Sequence, residues 1–204
     1  MTRNYLIAYF FLTLNLLCSE SYSSQFAEYF STGDSLKYIQ PEEIKLKNGK
    51  SFMILQSPES EYLFDVYVFG IGFPDTKDTI LFDEIEHIDT IIIADIDNDG
   101  FEELYIFTRG FAPGAYDHVF GIASDGDRSY KAISFLPLKQ EDIKEGGMFE
   151  GYNGKDVYTI KNNTLERTFP VHKQGDSYEN PSGYKTILYT TEKIGTDYFY
   201  KIKD

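Results

Sequence analysis

The chain has no tryptophan, one cysteine and three histidines, and its 19 lysines and arginines are outnumbered by 33 aspartates and glutamates. Each shortage excludes something. A formal net charge of −14 excludes nucleic acid as a partner, because phosphate binding needs basic side chains to displace counterions. A single cysteine, Cys18, excludes an intrachain disulfide, so burial alone must hold the fold together. His87, His118 and His172 are widely separated and fit no metal-ligand or nucleophile spacing, and there is no Gly-x-Ser-x-Gly element. The carboxylates are too numerous for a glycosidase pair to be chosen among them without geometry. The expectation is therefore a non-catalytic protein. No period of 20–50 residues recurs, which argues against propellers and solenoids.

What the chain does have is 17 tyrosines, 17 phenylalanines and 42% apolar residues, too hydrophobic for a disordered acidic chain. At 204 residues it has room for one domain. Residues 1–21 read as a secretory signal peptide: Arg3, then the apolar run Tyr5 to Leu17, then small polar residues. That run is shorter than the roughly 20 residues a membrane span requires. Cys18 stands where it ends, and is either lipidated after cleavage or discarded with the signal peptide. The expected location is thus the periplasm or cell envelope, with contact to a membrane only through a lipid on Cys18. Residues 22–45 form a lead-in, and 46–204 a single all-β domain.

From residue 50 onward the hydrophobic period is two, and turn residues separate short β-branched or aromatic runs. Strands are expected at Ser51–Leu55, Tyr62–Ile71, Thr90–Ala94, Leu104–Thr108, His118–Ala123, Tyr130–Phe135, Asp156–Ile160, Thr164–Phe169, Tyr184–Thr191 and Tyr198–Ile202. Asn162-Asn163 should close a tight hairpin, since asparagine tolerates the left-handed conformation. Helical signals are confined to Ser24–Phe30 and Lys139–Ile143. The pattern indicates an antiparallel sandwich or barrel of about eight strands. Two longer loops, Arg109–Asp117 and Lys173–Gly183, are where recognition tends to reside.

The most informative local motif is Asp95-Ile96-Asp97-Asn98-Asp99-Gly100-Phe101-Glu102-Glu103. Oxygen donors at the first, third and fifth positions converge when Gly100 permits a sharp turn. The Phe101 carbonyl and the Glu103 carboxylate can complete a calcium shell, with affinity in the weak extracellular range of roughly 10⁻⁴–10⁻³ M. An EF-hand is excluded, because position twelve is Ile106 rather than glutamate. The competing reading is an acidic turn in which Asp and Asn side chains bond backbone N–H groups.

Several segments then recur in a recognisable order: Glu103 to Arg109, Gly114-Ala115-Tyr116, Ser134-Phe135-Leu136-Pro137-Leu138, Leu165 to Val171, Gly175-Asp176-Ser177 and Asn180 to Gly183. Together, from about Asp89 to the C-terminus, they resemble the periplasmic inhibitors of invertebrate-type lysozyme. The resemblance implies an exported all-β protein that blocks a lysozyme cleft with a protruding loop, needs no cofactor, and contacts the target through a Ser-Gly-x-Tyr element. Here that element is Pro113-Gly114-Ala115-Tyr116, with proline in place of serine. Proline offers no hydroxyl donor, and losing one charge-assisted bond costs about 1.5–3 kcal/mol. The alternative from a different class is a calcium-stabilised adhesion or binding module at the cell surface, using the Asp95–Glu103 turn. A homodimer is left open by both. Asp176 and Ser177 are expected to order their loop.

Overall fold

The computed structural model describes residues 39–76, 78–110 and 116–203. The signal peptide, Cys18, the helical signal at Ser24–Phe30, and Pro113, Gly114 and Ala115 lie outside the described residues. Among the described residues no helix is long and apolar enough to cross a membrane.

Eleven strands follow one another: β1 (Ile39–Lys45), β2 (Ser51–Pro58), β3 (Leu63–Ile71), β4 (Thr79–Ala94), β5 (Glu103–Arg109), β6 (His118–Asp125), β7 (Ser129–Phe135), β8 (Val157–Ile160), β9 (Leu165–Val171), β10 (Gly183–Ile194) and β11 (Asp197–Ile202). A single helical turn, α1 (Gln140–Ile143), follows β7 where the sequence placed it. The strands form one open sheet in the order β1-β2-β3-β4-β5-β6-β7-β11-β10-β9-β8. The all-β expectation holds. The strand number is eleven rather than about eight, and β7 and β11 pair in parallel, whereas the other neighbours are antiparallel.

The sequence left out one strand, β1, and the first half of another, β4. β1 runs through Pro41 and two glutamates at the sheet edge, where a missing N–H costs no ladder bond, and it falls within the expected lead-in. The first half of β4 is mostly half-buried, and Asp83, Glu84 and Glu86 interrupt its hydrophobic run; of Thr79 to Glu86 only Ile85 is fully buried. β4 is 16 residues long and serves two neighbours in turn. Thr79 to Glu86 pairs with β3, and His87 to Ala94 pairs with β5 across a bulge near Ile88 to Thr90.

Bulges of this kind turn a sheet, and eleven twisted strands cannot remain flat. The consequence is visible in β5, which is buried on both faces. Leu104 and Ile106 join Phe52, Val66 and Val68 in one core, and Tyr105 and Phe107 join Phe169, Tyr189 and Tyr200 in the other. The second core draws on strands from β4 to β11, so that part of the sheet curls over itself. The Asn162-Asn163 hairpin forms as its chemistry demands, with φ of 49° and 53° and reciprocal Lys161–Thr164 backbone bonds of 3.0 Å.

Gly121 on β6 marks a close approach. A Cβ there would stand 2.3 Å from the hydroxyl oxygen of Tyr200 on β11. That hydroxyl is buried and has no hydrogen-bond partner among the described residues. A buried donor without a partner loses its hydration for nothing. Tyr200→Phe should therefore raise stability by about 1 kcal/mol, seen as a melting temperature higher by roughly 2–4 °C in thermal denaturation. A lower melting temperature would show that the hydroxyl is satisfied.

Candidate functional site

The Asp95–Glu103 turn joins β4 to β5, and its backbone is set by two left-handed residues, Asn98 (φ 61°) and Gly100 (φ 91°). These reverse the chain so that donor oxygens of Asp95, Asp97, Asp99 and Glu103 all lie within 4.8 Å of one another. Ligands of a calcium ion at 2.3–2.6 Å span at most about 4.6–5.2 Å, so this donor set has the size and the hard-oxygen chemistry of a calcium shell. Among the described residues no other group of three or more His, Cys, Asp or Glu side chains converges in this way. Three of the aspartates also order the turn. Asp99 N–H donates to Asp95 and Asp97 at 3.1 Å, Gly100 N–H to Asp95 at 3.1 Å, and Phe101 N–H to Asp99 at 2.8 Å.

Glu103 differs from the aspartates because it is only 2% exposed. It is the first residue of β5, and its carboxylate accepts the Ile96 N–H at 3.0 Å and the Tyr105 hydroxyl at 3.2 Å. Tyr105 in turn reaches Thr191 on β10 at 3.3 Å, so the turn is keyed into the second core. Burial, with the neighbouring carboxylates adding to it, pushes the Glu103 carboxyl up to about 8. Burial and Asp99 push Asp97 up to about 6. Both shifts are the mark of negative charge confined without a counter-ion, which a bound cation would reverse. Lys47 does not supply that charge; its ammonium pairs with Glu102 at 2.8 Å.

The stems of the Arg109–Asp117 loop sit beside β8. Asp89, Ile92, Arg109, Asp117, Val157 and Tyr158 line a shallow cleft there of about 130 Å³. Tyr116, at the end of the expected inhibitor loop, is 36% exposed, but it is not a free prong. Its ring lies against Gly154, where a Cβ would stand 3.3 Å away, and its hydroxyl is 3.2 Å from that of Tyr178. This bond holds the Tyr116 phenol above its ordinary range. Tyr178 belongs to the second loop, 62 residues away in sequence, and no local signal connected the two. Lys155 lies over the Tyr178 ring at 3.7 Å, and the His172 ring is nearly parallel to it at 6.3 Å. The second loop is ordered as expected of Asp176, which accepts Lys173 N–H at 2.7 Å and both the N–H and hydroxyl of Ser182 at 2.9 and 2.7 Å. Ser177 contributes by accepting the Asn180 amide at 2.9 Å.

Sequence reasoning assigned no role to Arg167 on β9, which is 7% exposed. It grips Asp156 through two bonds of 2.7 and 3.1 Å and reaches the Tyr152 hydroxyl at 2.8 Å. Its guanidinium faces the rings of Phe149 and Tyr152 at 5.1 and 5.0 Å. Burial works against this charge, and the bonds to Asp156 outweigh it, so Arg167 stays ionised. The arrangement clamps the segment before β8 onto the sheet, which is what positions Gly154 and Lys155 beneath Tyr116 and Tyr178.

Comparison of the chain with protein-family models, with characterised proteins and with solved structures returns no significant match.

Proposed function

We propose that this chain is an exported, non-catalytic protein that binds a lysozyme, of the invertebrate type by resemblance, and obstructs its cleft with the Pro113 to Tyr116 loop. The observation that supports this reading is Tyr116. It is exposed at the end of that loop, yet backed by Gly154 and bonded to Tyr178. An aromatic side chain already held in place enters a cleft at low entropic cost. The excess of acidic groups suits a basic partner through electrostatic steering.

Tyr116→Ala should weaken inhibition by about 2 kcal/mol or more, roughly thirtyfold, as loss of a buried interface anchor does. Inhibition constants against representatives of each lysozyme class measure this. Pro113→Ser should strengthen inhibition of an invertebrate-type enzyme. Unchanged inhibition of every lysozyme by Tyr116→Ala would discard the loop assignment.

A second reading, a calcium-stabilised binding module at the cell surface, is favoured by the four carboxylates gathered within 4.8 Å in the Asp95–Glu103 turn. It uses different residues, so a protein with both properties is coherent.

A further inference from the structure

The sequence contains two Asn-Gly pairs, Asn48-Gly49 and Asn153-Gly154, and the fold treats them differently. Asparagine is chemically labile, and most so before glycine, because no side chain then shields the following amide nitrogen from the asparagine carboxamide. Hydrogen bonds that hold either group suppress the reaction, since the two must turn toward each other. Asn48 is locked. Its amide donates to Asp127 at 2.6 Å, its side-chain oxygen accepts the Lys50 N–H at 2.9 Å, and the Gly49 N–H donates to the Leu46 carbonyl at 3.1 Å. Asn153 is exposed, and neither its carboxamide nor the Gly154 N–H has a hydrogen-bond partner among the described residues.

The span that contains Asn153 is short and fixed at both ends. Tyr152 bridges to Val171 on β9 and its hydroxyl accepts an Arg167 N–H at 2.8 Å, while Asp156 is gripped by the same Arg167. Of the residues between these anchors two are left-handed, Gly154 at φ 79° and Lys155 at 59°. A left-handed lysine is strained, and the strain persists because the ends cannot move apart. The same span backs the Tyr116 ring, which would stand 3.3 Å from a Cβ on Gly154. Any atom added to the backbone here must be absorbed by Gly154 and Lys155.

We propose that Asn153-Gly154 is a self-modifying site, whose conversion to isoaspartate withdraws the support beneath Tyr116. The Gly154 nitrogen attacks the side-chain carbonyl carbon of Asn153. A C–N bond forms, the Cγ–Nδ2 bond breaks, and the departing amino group takes the Gly154 proton and leaves as ammonia. Water then opens the cyclic imide. Opening at the main-chain carbonyl routes the backbone through the Asn153 side chain, which adds one methylene to the span and leaves a free carboxylate. Water is the only other reactant. The added length lets Lys155 leave the left-handed region, and Gly154 shifts with it. The new carboxylate also competes with the Tyr178 ring for the Lys155 ammonium, which lies 3.7 Å from the ring centroid. This is covalent chemistry of the chain itself, so it holds whatever partner Tyr116 meets.

Peptide mapping of the full chain, kept folded at mildly alkaline pH over several weeks, tests the reaction. Isoaspartate should accumulate at residue 153 roughly tenfold faster than at residue 48, and in denaturing urea the two pairs should convert at comparable rates. Equal rates in the folded chain, or no conversion at residue 153, would overturn the proposal. Proton NMR tests the consequence. After ageing, the converted chain should lose the through-space contact between the Tyr116 ring and the Gly154 α-protons. Asn153→Gln, whose longer side chain closes the imide far more slowly, should keep that contact after the same treatment. Because Asn153 makes no hydrogen bond among the described residues, this variant should also melt with the unaltered chain, which separates the chemistry from the fold. A contact that survives conversion would refute the link to Tyr116.

Discussion

Arg167→Ala should lower the melting temperature by roughly 10 °C or more. Removing the guanidinium strands Asp156, which is 8% exposed, with a buried charge and no cation. Breaking a buried pair from one side costs about 3–5 kcal/mol, and for a domain of this size each kcal/mol corresponds to roughly 2–4 °C. The Tyr152 hydroxyl loses its bond from Arg167 as well, and the ring contacts at 5.0–5.9 Å disappear. The cost is dominated by the stranded carboxylate rather than by the attraction lost. Arg167→Met combined with Asp156→Leu should therefore recover most of the stability, since apolar replacements of similar volume are often neutral. Thermal denaturation of the single and double variants decides this. A drop below about 3 °C for Arg167→Ala would mean that water reaches Asp156 and that the clamp is not what holds the segment before β8.

In chelator, stability should fall as pH rises from about 4 to 8, and calcium should offset part of the decline. Asp97 and Glu103 have folded-state values of about 6 and 8, both above those of an unfolded chain. Between pH 4 and 8 the folded state thus holds more protons than the unfolded one, and raising the pH favours unfolding. For Glu103, which is buried, the loss is on the order of 4 kcal/mol over that window. Asp97 is partly exposed and adds less. A calcium ion within the four carboxylates replaces the protons. At 10 mM, with a dissociation constant of roughly 10⁻⁴–10⁻³ M, it should stabilise by about 1.4–2.7 kcal/mol at pH 8, and by less at pH 5, where protons compete. Asp97→Ala should abolish the calcium-dependent rise, and Glu103→Gln should flatten the pH profile. Identical melting curves in calcium and chelator at pH 8 would reduce the turn to its Asx hydrogen bonds.

The parts of this protein that a local pattern can encode were legible in the chain. Short β-branched and aromatic runs between turn residues marked Tyr62–Ile71 and Leu104–Thr108, the Asn162-Asn163 pair marked its hairpin, and the spacing of Asp95, Asp97, Asp99 and Gly100 marked a turn in which oxygens converge. In each case the residues that interact are within a few positions of one another, so propensity and spacing carry the information. The burial of Glu103 was not legible. A glutamate at the end of an acidic turn reads as exposed until β5 is enclosed by sheet on both sides and Tyr105 draws the carboxylate inward. Nor was the first half of β4, where Asp83, Glu84 and Glu86 interrupt the hydrophobic run, nor the parallel pairing of β7 with β11. Arg167 reads as one more basic residue until Asp156, Tyr152 and four rings surround it. Tyr116 reads as one of 17 tyrosines until Tyr178, 62 residues on, meets its hydroxyl. Alternation tells which side of a strand a residue takes, because the pleat is local. Which surface then covers that side depends on twist and bulges accumulated over eleven strands, and that sum exists only in the folded sheet.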